Sequence, residues 1–290
     1  LTRGDRAPVI VVDGNTHYSL ELAAERSLLK IIETETSGYP LFKVGLEHYE
    51  EALESVVKEH GKPPLVTCIT YPDGKYGNFP DNIKGIIKLA REHGSYTLIN
   101  AAYSIGRMPV SLRDLEADFI VGSAHKSMAC SGPLGVLGMR EEAASLVLKR
   151  SVRHPSKEVE LLGCTVRGLP AVCLIMVMPY LRRRVKEWER VVDLARYFYE
   201  RAERELGLML LGEKPHSHDL LHFETPAFYK ISLKLRDRFF LYKELKKRGI
   251  IGVKPGITKR IKLSTYLLNR EEADYVLDSL REILELGEGD

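Results

Sequence analysis

Short apolar runs separated by amphipathic stretches are the feature of this sequence that most restricts its fold. Five such runs precede residue 140: VIVVD (9–13), LVTCITY (65–71), YTLINAA (96–102), DFIVGS (118–123) and GVLGM (135–139). Helical patterns lie between them at 46–60 and 81–94, and the second ends at Gly94, a residue typical of helix C-termini. Continuous apolar strands that alternate with helices predict an α/β fold with a mostly parallel sheet, covered by helices on both faces.

The C-terminal part of the sequence predicts a second, smaller α/β domain. A long, highly charged helical stretch at 179–206 is expected to connect a large domain, 1–178, to a small domain, 207–290. The evidence for the small domain is FYKISLKL, RFFLYKELKKRG, RIKLSTY and the closing helix NREEADYVLDSLREILEL. Asn269, which precedes two glutamates, is expected to cap that closing helix.

The composition limits the class of protein. The chain has 290 residues, of which 44% are hydrophobic, enough for a sizeable core, and its 29% of charged residues nearly balance at +3. The four cysteines, at positions 68, 130, 164 and 173, form no Cys-x-x-Cys pair, so we expect no structural metal and a reducing, cytoplasmic environment. No apolar run approaches the length of a membrane span, and no signal peptide is recognisable.

The segment GSAHKSMACSG places Lys126 just after a predicted buried strand. A lysine that is partly desolvated there has a lowered pKa and can form an imine with an aldehyde cofactor. Ser123 and His125 can donate hydrogen bonds to a phosphate on such a cofactor, and the glycines that follow allow the backbone to approach it closely. The alternative interpretation is an ordinary surface lysine.

Three further polar residues follow other predicted strands. Asn100, in LINAAYSIG, can reach the ring nitrogen of a bound pyridine, although it lacks the full charge that an aspartate supplies. His17, just after VIVVDG, can stack on the face of the ring, and Asp73, in TYPDGKYGN, is a candidate for the side of the ring hydroxyl. Each also has a plain interpretation as a loop or turn residue.

Taken together, these motifs resemble the pyridoxal 5′-phosphate (PLP) enzymes of fold type I, on the cysteine-desulfurase branch. The likeness is greatest to the family of O-phosphoseryl-tRNA:cysteinyl-tRNA synthases, and it extends from about residue 8 to the C-terminus. It rests on HKSMA-x-SGP-x-GV, IGRMPVSL, DFIVGS, EVELLGCTVRG, YPDGKYGN and GVKPGITKRIKLSTY. The resemblance implies that Lys126 binds PLP covalently, that His17 stacks on the ring, and that Asn100 contacts the ring nitrogen. It also implies that Ser123 and His125 help to bind the phosphate.

The resemblance further implies a reaction and its partners. Enzymes of this family convert O-phosphoserine carried on tRNA(Cys) to cysteine by loss of phosphate and addition of sulfur, with the lysine as the base at Cα. Cys164 matches a cysteine that the family uses in sulfur handling, and Arg167 is a candidate to stabilise its thiolate. The expected partners are the tRNA, a sulfur donor, a second copy in a homodimer and the O-phosphoseryl-tRNA synthetase.

Two alternative functions remain open. A cysteine desulfurase holds a free carboxylate with an arginine, whereas this sequence has Leu267 or Leu268 where that arginine is expected, which favours a substrate esterified to tRNA. A non-catalytic partner protein is the second alternative. It is motivated by an N-terminal segment that family members carry, with a phosphate loop and a Cys-x-x-Cys pair, and that the sequence as printed lacks; weak cofactor binding is therefore expected.

A tRNA substrate requires a positive surface for its phosphates. Arg182–Arg184 form one basic cluster, and a second lies in the C-terminal part of the chain, at Lys254, Lys259, Arg260 and Lys262. Runs of charge are more often simply solvated faces, so both clusters are hypotheses.

Overall fold

The computed structural model of the chain describes residues 4–131, 133–148, 153 and 168–288. These residues form two compact units. The first unit comprises the described residues within Leu1–Thr36, Val44–Asp73 and Phe79–Trp188, and the second those within Ser37–Lys43, Gly74–Asn78 and Glu189–Asp290. The division of the chain into domains at residues 178 and 206 stays a prediction.

A six-stranded sheet lies at the centre of the first unit. Its strands are β1 (Ala7–Val12), β2 (Lys30–Glu33), β3 (Pro64–Thr70), β4 (Tyr96–Asn100), β5 (Phe119–Ser123) and β6 (Gly135–Met139). Their order in the sheet is β2-β1-β3-β4-β5-β6. All neighbouring strands are parallel except β5 and β6, which are antiparallel. The mostly parallel sheet predicted from the sequence is therefore confirmed.

Helices pack on the strands of the first unit and explain their unbroken apolar runs. They are α1 (Tyr18–Arg26), α2 (Leu46–His60), α3 (Ile83–Glu92), α4 (Leu112–Leu115), α5 (Glu141–Val147) and α6 (Gly168–Lys186). Along β1, Val9 and Val11 belong to a buried cluster that includes side chains of α2 and α3. Ile10 and Val12 belong to a different cluster, together with Ala24 of α1. Because alternate residues of a strand point to opposite faces, both faces of β1 are covered.

The helix predicted at 46–60 coincides with α2. Its buried residues recur at helical spacing, from Tyr49 to Val56, and the Tyr49 hydroxyl donates a hydrogen bond to the Cys68 carbonyl at 3.0 Å. The predicted helix-ending glycine is also present. Gly94 follows the last residues of α3 with a φ of +83°, a left-handed conformation that glycine adopts without strain.

Two helices occupy the range predicted as one long connecting helix. α6 ends at Lys186, and α7 (Trp188–Leu206) begins after Glu187, which lies in a turn. The two helices pack on different cores, since Leu181 of α6 joins a cluster of the first unit and Ala195 of α7 joins the core of the second. A straight amphipathic helix buries one continuous stripe of side chains against one core. Because the core changes between α6 and α7, the helix breaks there.

The second unit contains a three-stranded antiparallel sheet and its own core. Its remaining elements are β7 (Met209–Leu211), β8 (Leu220–Glu224), α8 (Pro226–Lys234), α9 (Phe240–Lys247), β9 (Arg260–Ser264) and α10 (Arg270–Glu288). The cap predicted for α10 is confirmed. The Glu272 N–H donates to Asn269 Oδ1 at 2.9 Å, and the Asn269 N–H donates to the Glu272 carboxylate at 2.8 Å, which is a complete capping box.

Membrane-spanning character is absent from the helices of the described ranges. None of them combines the length and the apolar composition that crossing a bilayer requires.

Candidate active site

The carboxyl ends of β1, β3, β4 and β5 meet at one edge of the sheet, and residues predicted from the sequence lie there. Asn100, the last residue of β4, is paired in register with Thr70 of β3 and with Val121 of β5. Ser123 is the last residue of β5. Because ligands of open α/β sheets bind beyond the carboxyl ends of their strands, this edge is the candidate site.

Three other predicted residues follow the same strand ends. His17 lies just past β1 and caps α1, where its Nδ1 accepts the Ser19 N–H at 3.2 Å. Asp73 lies in the turn after β3 and is buried, whereas the side chain of His125, in the turn after β5, is exposed. The roles predicted for these residues toward a cofactor stay predictions.

Lys126 lies in the turn that follows β5. Its backbone N–H donates to the Ser123 carbonyl at 3.0 Å, and its Nζ lies 4.2 Å from the ring centroid of Tyr103. Burial lowers the pKa of the Lys126 amine, and the positive charge of Arg107 lowers it further. A lysine with a lowered pKa carries a larger fraction of free amine at a given pH, and the free amine is the form that attacks an aldehyde or accepts a proton.

Tyr103 and Arg107, in the loop after β4, were not predicted from the sequence as site residues. Arg107 is only 7% exposed, and its guanidinium carbon lies 5.9 Å from the same Tyr103 ring. Two cations therefore share one aromatic ring, which attracts both while they repel each other. The signal was an arginine among small and apolar residues, in IGRMPVSL directly after a buried strand.

Asp13 is a third residue of this edge that was not predicted from the sequence. It follows β1 directly, is 4% exposed, and accepts the Asn15 N–H on Oδ1 at 3.1 Å and the Thr70 N–H on Oδ2 at 3.0 Å. Burial raises the pKa of this carboxyl, while its hydrogen bonds with Thr70 and Asn15 act in the opposite direction. Asp13 thus joins the ends of β1 and β3 and orders the loop that carries His17.

Three buried hydroxyls in the loops at this edge have no hydrogen-bond partner within the part of the chain that the structure describes. They are Thr16 Oγ1, Ser104 Oγ and Ser127 Oγ. Thr16 precedes His17, Ser104 lies in the loop after β4, and Ser127 follows Lys126. Because a buried hydroxyl without a partner is destabilising, these groups suit the phosphate and ring oxygens of a bound cofactor.

The remaining residues singled out in the sequence fall into two groups. Cys164 and its predicted cationic neighbour Arg167 lie outside the described residues. In the C-terminal basic cluster, Arg260 forms an ion pair with Glu224 at 2.9 Å, and Lys262 Nζ donates to the carbonyl of Gly74. Those two cations are therefore already engaged within the second unit.

Comparison with known proteins identifies the family. Residues 30–285 match the family model described as O-phosphoseryl-tRNA(Sec) selenium transferase, SepSecS. The O-phospho-L-seryl-tRNA:Cys-tRNA synthase of Methanosarcina acetivorans is 50% identical over 276 residues, 95% of this chain and 71% of that protein. This chain belongs to the O-phospho-L-seryl-tRNA:Cys-tRNA synthase family. A family member from Methanothermobacter thermautotrophicus is 47% identical over 282 residues, 97% of this chain and 74% of its own length.

Solved structures agree with the assignment to the synthase family. A chain in the crystal structure of the SepCysS–SepCysE N-terminal domain complex has a TM-score of 0.90 and 42% identity, covering 98% of this chain and 76% of that one. The apo cysteine desulfurase of Thermococcus onnurineus NA1 shares the fold, with a TM-score of 0.70 and 20% identity over 97% of this chain and 74% of its own. The family and the fold type I architecture predicted from the motifs are confirmed.

Proposed function

We propose that this protein converts O-phosphoserine carried on tRNA(Cys) to cysteine, as a PLP-dependent transferase. The observation that carries the proposal is 50% identity to a synthase of this name, combined with a half-buried Lys126 at the carboxyl edge of the sheet. Fold alone does not decide function, since the desulfurase shares the fold at only 20% identity.

The residues at the sheet edge suit PLP, which fold type I neighbours imply. Lys126 is the candidate for covalent attachment, Asn100 for the ring nitrogen and His17 for the ring face. The candidates for the phosphate and the ring hydroxyl are Ser123, His125, Asp73 and the unpartnered hydroxyls of Thr16, Ser104 and Ser127. When bound, PLP supplies an electron sink for the negative charge that develops at Cα of the substrate.

Lys126 is the proposed base of the reaction. Its amine takes the Cα proton, the Cβ–O bond to phosphate breaks, and a sulfur nucleophile then forms a bond to Cβ. The same amine returns a proton to Cα at the end. Burial, and then the positive charge of Arg107, lower the pKa of Lys126, so a larger fraction of the amine is free to act as a base at a given pH. Cys164 is the predicted carrier of the sulfur.

We propose a homodimer that uses the outer face of α6. Five apolar side chains on this helix are more than half exposed: Leu169, Val172, Ile175, Met176 and Tyr180. An apolar surface of this extent marks a protein interface, and fold type I enzymes commonly complete their sites across a dimer. Substituting Ile175→Glu is expected to shift the protein toward monomer in sedimentation velocity, whereas the exposed Leu286→Glu on α10 leaves the distribution unchanged.

The remaining partners are tRNA(Cys), a sulfur donor and the O-phosphoseryl-tRNA synthetase. Arg182–Arg184, near the C-terminal end of α6, are the candidate contacts for tRNA phosphates. A related chain was crystallised in the SepCysS–SepCysE N-terminal domain complex, and we propose that this protein enters an assembly of the same kind. A cytoplasmic location is part of this proposal.

The test uses the full chain loaded with PLP. Incubation with O-phosphoseryl-tRNA(Cys) and free sulfide is expected to release phosphate and yield cysteinyl-tRNA. In a separate measurement, borohydride is expected to remove the absorbance of the lysine-bound cofactor at about 420 nm. Lys126→Ala is expected to abolish the formation of cysteinyl-tRNA and the absorbance of the bound cofactor. Lys88→Ala, at an exposed position of α3, is expected to leave the reaction and the absorbance unchanged. A chain that instead releases sulfur from free cysteine is a desulfurase, and one that stays colourless with PLP is a non-catalytic partner; either result contradicts the proposal.

A further inference from the structure

The loop at 37–43, which belongs to the second unit, exposes three consecutive side chains of apolar or aromatic character. Tyr39 is 56% exposed, Leu41 is 45% exposed, and Pro40 between them is exposed as well. A single exposed tyrosine or leucine is ordinary on a protein surface, whereas three in succession form an apolar tip that is suited to contact. The proposed reaction uses none of them.

The backbone of this loop is fixed to the rest of the second unit. The Pro40 carbonyl accepts the Gly212 N–H at 3.0 Å, and Asn78 Nδ2 donates to the Leu41 carbonyl at 2.8 Å. Both hydrogen bonds hold the residues of the exposed tip itself. Because the tip is already ordered, it loses less conformational entropy on binding than a mobile loop does.

The Tyr39 side chain is oriented through its hydroxyl. The hydroxyl donates to one carboxylate oxygen of Glu224 at 3.2 Å, and the other oxygen accepts a hydrogen bond from the Arg260 guanidinium at 2.9 Å. The hydrogen bond to Glu224 raises the pKa of the Tyr39 hydroxyl, so this group stays protonated as the donor. One carboxylate therefore places an exposed aromatic ring and a cation side by side.

Further aromatic rings support Tyr39 from within the unit. The Phe42 ring packs against it in a T-shaped arrangement, with ring centroids 6.1 Å apart. Phe42 in turn stacks on Tyr76 at 4.4 Å, with 7° between the ring planes. Tyr76 is only 9% exposed, so this group of rings is anchored in the packed part of the unit.

The charge around Tyr39 favours an anionic partner. The Arg260 side chain is 41% exposed, and its bond with Glu224 uses one of the five N–H groups of the guanidinium. Arg260 lies in the segment 230–262, which contains twelve lysine or arginine residues and two acidic ones, Asp237 and Glu244. A segment of this composition attracts polyanions.

Resting on the tRNA substrate of the function proposed above, we propose that Tyr39 is a stacking platform for an unpaired base of the RNA, with Arg260 as the contact for a neighbouring phosphate. Stacking needs no particular sequence, because every base has an aromatic face. A protein partner would also cover an apolar tip, but it would make no specific use of the adjacent guanidinium and of the basic segment. An exposed ring beside a cation is the arrangement that single-stranded RNA requires.

The first experiment measures the binding of deacylated tRNA(Cys) to the full chain loaded with PLP, by fluorescence anisotropy over a series of salt concentrations. Without the esterified amino acid no reaction takes place, so binding alone is observed. Tyr39→Ala is expected to raise Kd about tenfold at each salt concentration, through the loss of one base–aromatic stack. Arg260→Gln is expected to reduce the slope of log Kd against log salt concentration by about one, through the loss of one phosphate contact.

Two further variants separate the role of the ring from a defect in folding. Tyr39→Phe keeps the ring and removes the bond to Glu224, and it is expected to retain most of the affinity that Tyr39→Ala loses. Tyr275→Ala is the matched control. Tyr275 is a 55% exposed tyrosine on α10 of the same unit, and its hydroxyl donates to the Arg248 carbonyl at 2.8 Å. This control is expected to leave Kd unchanged.

The second experiment compares a single-stranded RNA oligonucleotide with an RNA duplex of the same length. Tyr39→Ala is expected to weaken binding of the single strand and to leave binding of the duplex unchanged, because paired bases are already stacked on one another. An equal loss on both probes contradicts stacking and overturns the proposal. Unchanged affinity of Tyr39→Ala for tRNA(Cys) and for the single strand overturns it as well, and a shift of this variant toward monomer in sedimentation velocity then assigns the loop to a contact between two copies of the chain.

Failure of this proposal is distinguishable from failure of the proposed function. The unsubstituted chain is assayed with O-phosphoseryl-tRNA(Cys) and free sulfide alongside the binding measurements. Conversion of the substrate, together with unchanged RNA binding by Tyr39→Ala, removes the platform and leaves the proposed function standing. RNA binding that depends on Tyr39, in a chain that does not convert the substrate, contradicts the proposed function and supports the platform.

Discussion

The Asp13 carboxylate and the Thr70 backbone join the ends of two adjacent parallel strands, β1 and β3. The Thr70 N–H donates to Asp13 Oδ2 at 3.0 Å, while the other carboxylate oxygen accepts the Asn15 N–H. The carboxylate therefore satisfies backbone donors at the edge where Lys126 and Asn100 lie. The position of the loop that carries His17 depends on a residue that is not expected to touch the cofactor.

Replacing Asp13 by asparagine is expected to lower the free energy of unfolding by about 1–3 kcal/mol, because an amide offers one acceptor oxygen where two N–H groups need one each. Thermal or urea unfolding measures the change. Asp114→Asn, on the exposed side of α4, is the matched control and is expected to stay within about 0.5 kcal/mol of the unsubstituted chain. Equal stability of the two variants contradicts the role assigned to Asp13.

The Lys126 amine is expected to form an imine with PLP at a lower pH than an ordinary lysine, because burial and Arg107 lower its pKa from 10.5. Absorbance titration of the chain with PLP measures the midpoint. Between the lower pKa of Lys126 in the folded chain and its ordinary pKa in the unfolded chain, the unfolded chain binds more protons. The contribution of this lysine to the free energy of unfolding therefore increases as pH rises through that range. A midpoint at or above the ordinary lysine value contradicts the prediction.

Arg107→Gln is expected to move the midpoint of imine formation to higher pH. The substitution removes the positive charge that lowers the pKa of Lys126 and leaves the desolvation of the amine in place. The midpoint, rather than the amount of imine, is the informative measurement, since a structural defect alone does not change it in a defined direction. Arg113→Gln, at an exposed position of α4, serves as the control for loss of one positive charge.

Asn269→Ala is expected to lower the free energy of unfolding by about 1 kcal/mol, because the first turn of α10 loses its capping acceptor. Glu272→Ala removes the reciprocal bond and is expected to cost a similar amount. Glu271→Ala, which leaves both hydrogen bonds intact, is the control in the same urea titration. A loss of equal size in that control indicates that the acidic charge, and not the cap, stabilises the helix.

His222 is expected to make the second unit sensitive to acid. Burial, and then Lys262 and Arg260, lower its pKa to about 4 from 6.5. The unfolded chain therefore takes up a proton at a higher pH than the folded one, and folding loses stability as pH falls from about 6.5 to about 4. After a discount for partial exposure, the loss is about 1–2 kcal/mol. The His222 ring stacks on Tyr76, with ring centroids 5.4 Å apart. His222→Phe keeps an aromatic ring there and is expected to flatten the dependence of the melting temperature on pH; an unchanged slope contradicts this prediction.

The sequence predicted the elements whose patterns are local and strong. α2 was predicted over its full length because its apolar residues recur at helical spacing from Tyr49 to Val56. β2 was not predicted, since Lys30–Glu33 is four residues long and only partly buried, so it has no apolar run. The break at Glu187 was missed because the helix changes the core on which it packs, and a single sequence does not show which core a side chain joins.

The candidate site was predictable only in part. Lys126 and Asn100 each follow an apolar run, and their proximity follows from the parallel order of β4 and β5. Asp13 and Arg107 were missed because a charged residue in a loop is ordinarily exposed, and only the folded chain shows that these two are buried. The functions assigned to all of these side chains stay predictions until the cofactor experiments are done.

The second unit is built from three separate segments of the chain, which has consequences for its synthesis and for gene rearrangement. Ser37–Lys43 and Gly74–Asn78 belong to this unit, although most of it begins at Glu189. During synthesis on the ribosome, both early stretches emerge long before the residues with which they pack. They can pack only after the C-terminal part of the chain has been synthesised. A recombination event that transferred only the residues after 188 would leave both stretches behind, so the second unit cannot be moved intact as one continuous segment.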